Sequence, residues 1–189
     1  MPSLQLEAEL PLGGFRESFD ETELAEVADI AIVSLAIPLQ GEAAFEAALL
    51  DAYGVERPAA GQSVISKDGR TRFLWTAQDQ LFALIDSASP TTASDVAAKL
   101  DGKAYVTLQS DNWVALRLAG SLARTALERI CPIDLDASAF PKDRVARTAM
   151  EHMGAFICRD GENSFLLLSA SSSANSYLHA VRTSLQNVA

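Results

Sequence analysis

An α+β fold built from two related βαβββα units is the architecture this sequence predicts, and three observations carry it. First, short apolar runs rich in β-branched residues alternate with stretches at helical spacing, so strands and helices are interleaved. Second, an Asp-Gly turn joins two apolar runs in each half, as Lys67-Asp68-Gly69-Arg70 and again as Arg159-Asp160-Gly161-Glu162. Third, the order strand, Gly-led helix, long loop, three strands, helix describes residues 30–100 and describes residues 113–188 again. Gly41 and Gly120 lie 79 positions apart, each just after its strand, and Leu81-Phe82 matches Phe165-Leu166 at an offset of 84. Identity between the halves is slight, so the repeat is one of architecture. Antiparallel or mixed sheets covered by helices on one side follow from it.

Residues 1–29 read as an acidic arm outside the core. Leu4, Leu6 and Leu10 alternate weakly, PLGG breaks regular structure, and FDETELAEVADI suits a turn or short helix with Asp20 as N-cap and Glu23 three residues on. On this reading the arm can be deleted without loss of the fold. The core begins with IAIVSLAI, a continuous apolar run expected of a strand buried on both faces. In GEAAFEAALLDAYGV, Phe45, Leu49 and Tyr53 share one helical face and Gly54 is a C-cap. ERPAAG is a loop; SVIS and TRFLWTA form a hairpin through the Asp68-Gly69 turn, and LFALID is the next strand. Ser89-Pro90 starts a short helix through Val96 and Leu100 that stops at Asp101-Gly102.

Further on, AYVTLQ and WVALRL are strands turned at Asp111-Asn112, and a helix runs over residues 121–130 to end before Cys131-Pro132. Residues 138–142 are loop. RVARTAM, GAFICR and SFLLLSA are three strands, and a final helix starting in SSSANS has Tyr177, Leu178, Val181 and Leu185 on its apolar side. The domain reading is therefore an arm at 1–29, a first unit at 30–112 and a second at 113–189, the two units packed as one body.

Composition restricts the function classes. The 189 residues are 49% hydrophobic, enough for a sizeable core, while the longest apolar runs are far too short to span a bilayer. MPSLQLEAEL lacks the basic flank and apolar region of a signal peptide, and two cysteines imply no disulfide framework, so a cytoplasmic protein is expected. The net charge of −10 is uneven: residues 1–29 hold eight acids against Arg16, residues 30–112 ten acids against six bases, and residues 113–189 seven against eight. An acidic chain without a basic stripe is repelled by phosphate backbones and anionic lipid, which argues against nucleic-acid and membrane partners.

The residues nominate no catalytic, cofactor-binding or metal site. Cys131, His152 and Cys158 fit no metal-ligand spacing, and Cys158 falls in an apolar strand where a thiol packs as a small hydrophobe. Cys131 before Pro132 reads as structural, and His152 and His179 as surface or interface residues. Ser171-Ser172-Ser173 caps a helix and has no glycine to cradle a phosphate. No dinucleotide, P-loop, zinc-protease or nucleophile-elbow motif occurs. Lys142, Arg144 and Arg147 make a basic cluster; alternation puts Val145 and Arg147 on one strand face and Arg144 on the other, with Asp143 or Glu151 as expected salt-bridge partners. Trp75 and Trp113 read as core aromatics.

One stretch carries a resemblance. WVALRLAG, a short helix, then ICPIDLDASAFPKDRVARTAM, GAFICRDGENSFLLLSA and a terminal helix resemble the gamma subunit of heterotetrameric sarcosine oxidase. The match rests on residues 113–120, 131–135, 139–141 and 145–148; the glycine usual after A-F-P is replaced by Lys142-Asp143-Arg144. The resemblance implies a small version of the folate-binding-domain fold of glycine-cleavage aminomethyltransferases. It implies partnership with alpha, beta and delta subunits, in a complex that oxidises sarcosine to glycine, formaldehyde or methylene-tetrahydrofolate, and hydrogen peroxide. FAD, FMN, NAD, tetrahydrofolate and zinc are then expected in those other subunits and none on this chain, which contributes assembly. The alternative is a stand-alone folate or anion binder using the region of Arg144 and Arg147.

Overall fold

The computed structural model describes residues 9–86, 89 and 91–189. Among them, eleven strands form two wholly antiparallel sheets: β1 (Arg16–Phe19), β2 (Thr22–Glu26), β3 (Ile30–Ala36), β4 (Ser63–Ile65), β5 (Thr71–Ala77), β6 (Gln80–Asp86), β7 (Tyr105–Leu108), β8 (Trp113–Ala119), β9 (Val145–Met150), β10 (Met153–Gly161) and β11 (Ser164–Ala170). The helices are α1 (Glu42–Tyr53), α2 (Thr92–Lys99), α3 (Ala123–Glu128) and α4 (Ala174–Gln186). One sheet runs β4-β5-β6-β3-β7, the other β1-β2-β8-β11-β10-β9.

The repeat is visible in the strand order itself. Replacing β3, β4, β5 and β6 by β8, β9, β10 and β11 turns the first four places of one sheet into the last four of the other. Register agrees as well: Ala36 faces Gln80 and Ile30 faces Asp86, just as Ala119 faces Ser164 and Trp113 faces Ala170. A bulge interrupts β5 between Trp75 and Ala77 and interrupts β10 between Arg159 and Gly161, both 84 residues apart.

The two sheets lie face to face, with helices on their outer sides. Strands buried on both faces need unbroken apolar runs, and each residue then alternates between two cores. In β6, Leu81 joins Phe45, Leu49 and Tyr53 of α1 and Val96 of α2 beneath the helices, while Phe82 turns into the seam between the sheets. In β11, Phe165 meets Tyr177, Val181 and Leu185 of α4, and Leu166 enters the seam. The seam is apolar, filled by Ile32, Leu74, Phe82, Leu84, Phe156, Cys158, Leu166 and Leu168.

The acidic segment departs from the sequence reading. Expected as an arm with a turn or short helix, residues 16–26 instead form a hairpin that extends the six-stranded sheet beside β8. Charge obscures a period-two pattern: Thr22, Leu24 and Glu26 of β2 are all buried, and Leu24 and Phe19 enter the core beneath α3 and α4. Glu26 tolerates burial because its carboxylate accepts the Leu12 and Gly14 amides at 3.0 and 2.8 Å. The Thr22 hydroxyl accepts the Leu122 amide at 3.0 Å, tying the hairpin to the start of α3. Gly120 closes that corner at φ 137°, where a Cβ would lie 2.3 Å from the Glu21 carbonyl.

Two smaller differences concern the connections. Asp111-Asn112 does turn the chain, as a single 3₁₀ turn, but the strands on either side diverge into different sheets. Of the expected helix start at Ser89-Pro90, Pro90 lies outside the described residues, as do Leu4 and Leu6; α2 itself begins at Thr92.

Candidate functional site

The sheets meet at one edge, where β4 and β9 are joined by an antiparallel bridge between Gln62 and Arg144. The Ser63 amide donates to the Asp143 carbonyl at 2.7 Å and the Val145 amide to the Gly61 carbonyl at 2.8 Å. Behind the bridge, Arg72 of β5 reaches the Asp143 carboxylate at 2.6 Å and the Ser63 hydroxyl at 2.8 Å. The Cys158 thiol lies 3.5 Å from the same hydroxyl, and burial pushes its pKa up, keeping it protonated and inert. Asp143, expected to pair with the basic cluster around it, is thus bound to Arg72, a residue that sequence reasoning passed over. Its partner lies 71 positions away, so no local signal marks the pair.

A second buried cation organises the loop before β9. The Arg159 guanidinium sits 5.4 Å from the Phe165 ring and donates to the carbonyls of Leu135 at 3.3 Å, Phe140 at 3.0 Å and Glu162 at 3.2 Å. Cys131, Leu135 and Phe140, which carry the resemblance, are all buried beneath α3 and α4. That stretch is core and corner, and the Cys131 thiol is likewise pushed up by burial. Next to it, Asp136 accepts the Ser138 amide and hydroxyl and pairs with Arg124 at 2.7 Å, which holds its carboxyl below the usual range.

The remaining candidates are scattered. His179 on α4 faces a groove shared with Arg129 and Glu151, whereas His152 sits in the β9–β10 turn on another groove with Arg147 and Trp113. Val145 and Arg147 do share the seam side of β9, as alternation requires; Val145 is buried in the seam and Arg147 lies 5.6 Å over the Phe156 ring. Arg144 stays at the sheet junction, its Nε buried without a partner. Trp113 packs edge-on against Phe82 and Phe156, while Trp75 is half-buried under α1 and lines a surface hollow with Arg57 and Pro58. Ser171-Ser172-Ser173 forms a 3₁₀ turn leading into α4. Among the described residues, no group of three or more His, Cys, Asp or Glu is placed to hold a metal ion. No helix among them is long and apolar enough to cross a membrane.

Two helix-covered antiparallel sheets related by an internal repeat place the chain in the fold class of the glycine-cleavage aminomethyltransferases. Aminomethyltransferase T from Bartonella henselae superposes with a TM-score of 0.65 over 92% of this chain and 56% of that one, at 14% identity. A chain of heterotetrameric sarcosine oxidase from Corynebacterium sp. U-96 superposes with a TM-score of 0.74 at 27% identity, covering 88% of this chain and 84% of that one. Sarcosine oxidase subunit gamma from Corynebacterium sp. strain P-1 is 30% identical over 133 residues, 70% of this chain and 66% of that protein. The same subunit from an Arthrobacter species is 30% identical over 122 residues, 65% of this chain and 60% of its own length. No protein-family model matches the sequence. The chain belongs to the family of sarcosine oxidase gamma subunits, and its aligned part spans about two thirds of the curated relatives' length.

Proposed function

We propose that this chain is the gamma subunit of a heterotetrameric, cytoplasmic sarcosine oxidase and serves the complex as an assembly subunit without catalytic residues of its own. The observation that carries the reading is the superposition at TM-score 0.74 on a chain of such a heterotetramer. In the assembly, alpha, beta and delta subunits are its partners, and the demethylation of sarcosine to glycine, with formaldehyde or methylene-tetrahydrofolate and hydrogen peroxide as co-products, takes place outside this chain. FAD, FMN, NAD, tetrahydrofolate and zinc belong to those subunits in this reading.

Two features of the chain support it. The seam between the sheets is filled with aliphatic and aromatic side chains. Around it, Glu26 accepts two backbone amides, and Asp160 is paired with Arg117 at 3.0 Å through Oδ2, its Oδ1 buried without a partner. Moreover, the exposed large apolar side chains among the described residues, Leu39, Leu50, Ile65, Tyr105 and Leu108, all fall within residues 30–112. Three of the four residues of the edge strand β7 are exposed. Such an asymmetric apolar surface suits docking against larger subunits.

The test is omission. Co-expressed alpha, beta and delta subunits should yield less assembled oxidase without this chain, and adding it should restore assembly while the activity per bound flavin stays the same. Full assembly in its absence would overturn the reading.

A further inference from the structure

At one end of the seam, a groove of about 380 Å³ opens between β8, the β9–β10 turn and the start of α4. Its polar lining comes from Arg147, His152, Ser169, Ser173 and Trp113, and no carboxylate lines it, in a chain of net charge −10. Arg147 takes part in no ion pair and donates no hydrogen bond among the described residues. The exposed Arg147 guanidinium lies over the Phe156 ring at 5.6 Å, a contact that spends none of its N–H donors.

The surrounding elements reinforce that character. Glu151 and His152 link β9 to β10 with φ angles of 45° and 69°, the left-handed pair of a two-residue hairpin that Asn-Gly would form without strain. This strained turn leaves His152 on the Arg147 groove and Glu151 on the separate groove with Arg129. Ser173, the residue before α4, makes no side-chain capping bond, so its hydroxyl is unspent. Trp113, held edge-on by Phe82 and Phe156, is half-buried and offers a fixed apolar wall.

The internal repeat supplies a control. By register, Ile30, Ile65, Arg72 and Asp86 stand in the first unit where Trp113, Arg147, Phe156 and Ala170 stand in the second. The related groove, about 190 Å³, carries both signs of charge, with Asp86 and Asp160 among Arg70, Arg72 and Arg117. Only the second-unit groove combines an uncommitted guanidinium with an aromatic wall.

We propose that this groove binds a small planar carboxylate, its acid group on Arg147 with the Ser173 hydroxyl and His152 at the rim, and its ring against Trp113. The site does not depend on assembly into the oxidase, so its test and the omission test fail separately.

The experiment is titration of the full chain with benzoate, and with acetate as the ringless comparator, followed by the Trp113 indole resonance in ¹H–¹⁵N NMR at constant ionic strength. Benzoate should shift that resonance saturably, at least about tenfold tighter than acetate, since ring contact and ion pair act together. R147A should weaken benzoate by about tenfold or more, R147K should retain part of the affinity, and R70A, in the related groove, should leave it unchanged. No saturable shift up to about 20 mM, equal binding of acetate, or unaltered affinity in R147A would each overturn the proposal.

Discussion

Arg72 on β5 and Asp143 ahead of β9 meet at 2.6 Å across the edge where the two sheets join, a pair that spans both units of the repeat. The two ends are not equivalent: the Arg72 side chain is 13% exposed and that of Asp143 is 41% exposed. Removing the acid leaves a guanidinium buried beside Ser63 and Cys158, whereas removing the base leaves an acid that water can reach. Asp143→Ala should therefore cost about 2–3 kcal/mol and Arg72→Ala about 1 kcal/mol. Urea unfolding of both variants and the double variant checks this; the reverse order, or additive losses, would contradict the coupling.

Gly120 gives a sharper contrast between glycines. At φ 137°, with the Glu21 carbonyl 2.3 Å and the Thr22 Cα 2.4 Å from a would-be Cβ, it has no room for a side chain. Gly69 sits at φ 76° in an open turn with nothing within 4 Å. Gly120→Ala should lose at least about 3 kcal/mol and Gly69→Ala about 1 kcal/mol in denaturant melts. Similar losses for the two would mean that the hairpin does not press on the β8–α3 corner.

The N-terminal hairpin should behave as core. Leu24 is fully buried between β8 and the helices, so Leu24→Ala should cost about 3 kcal/mol. Removal of residues 1–26 takes away two strands and uncovers the edge of β8, and loss of cooperative thermal unfolding is the expected outcome. A truncated chain melting at the full-length temperature would restore the view of this segment as a dispensable arm.

These cases show where the sequence was readable. Phe45, Leu49 and Tyr53 share a helical face, Gly54 at φ 68° ends that helix, and Asp68-Gly69 turns β4 into β5, because each signal is local. The repeat was readable from Gly41, Gly120 and the 84-residue offset because both units bury the same strand positions. The hairpin was hidden because Glu26 looks like solvated charge until the Leu12 and Gly14 amides fold over it. The Arg72–Asp143 pair and the groove around Arg147 depend on residues brought together by sheet packing, which no spacing along the chain reports. The stretch from Cys131 to Phe140 carries the family resemblance without a site, since Cys131, Leu135 and Phe140 are spent on packing.

Acid stability offers a further check through Asp136. The Ser138 amide and hydroxyl, and then Arg124, hold its carboxyl below the ordinary range in the folded chain. A depressed folded value means that the stabilisation is present above the unfolded carboxylate pKa of about 3.9 and is lost as pH falls through the lowered folded value. Asp136→Asn should accordingly be less stable than the parent between about pH 6 and 8, with the difference closing below about pH 4. A difference that does not change with pH would show that the side chain acts by shape alone.

The most direct test of the central claim is the composition of the assembled enzyme. Native mass spectrometry of the complex purified through a tag on this chain should show one copy of it with one each of the alpha, beta and delta subunits, and with flavin. Recovery of the tagged chain only as a free monomer or homo-oligomer, while the other three subunits form an active oxidase without it, would contradict the account.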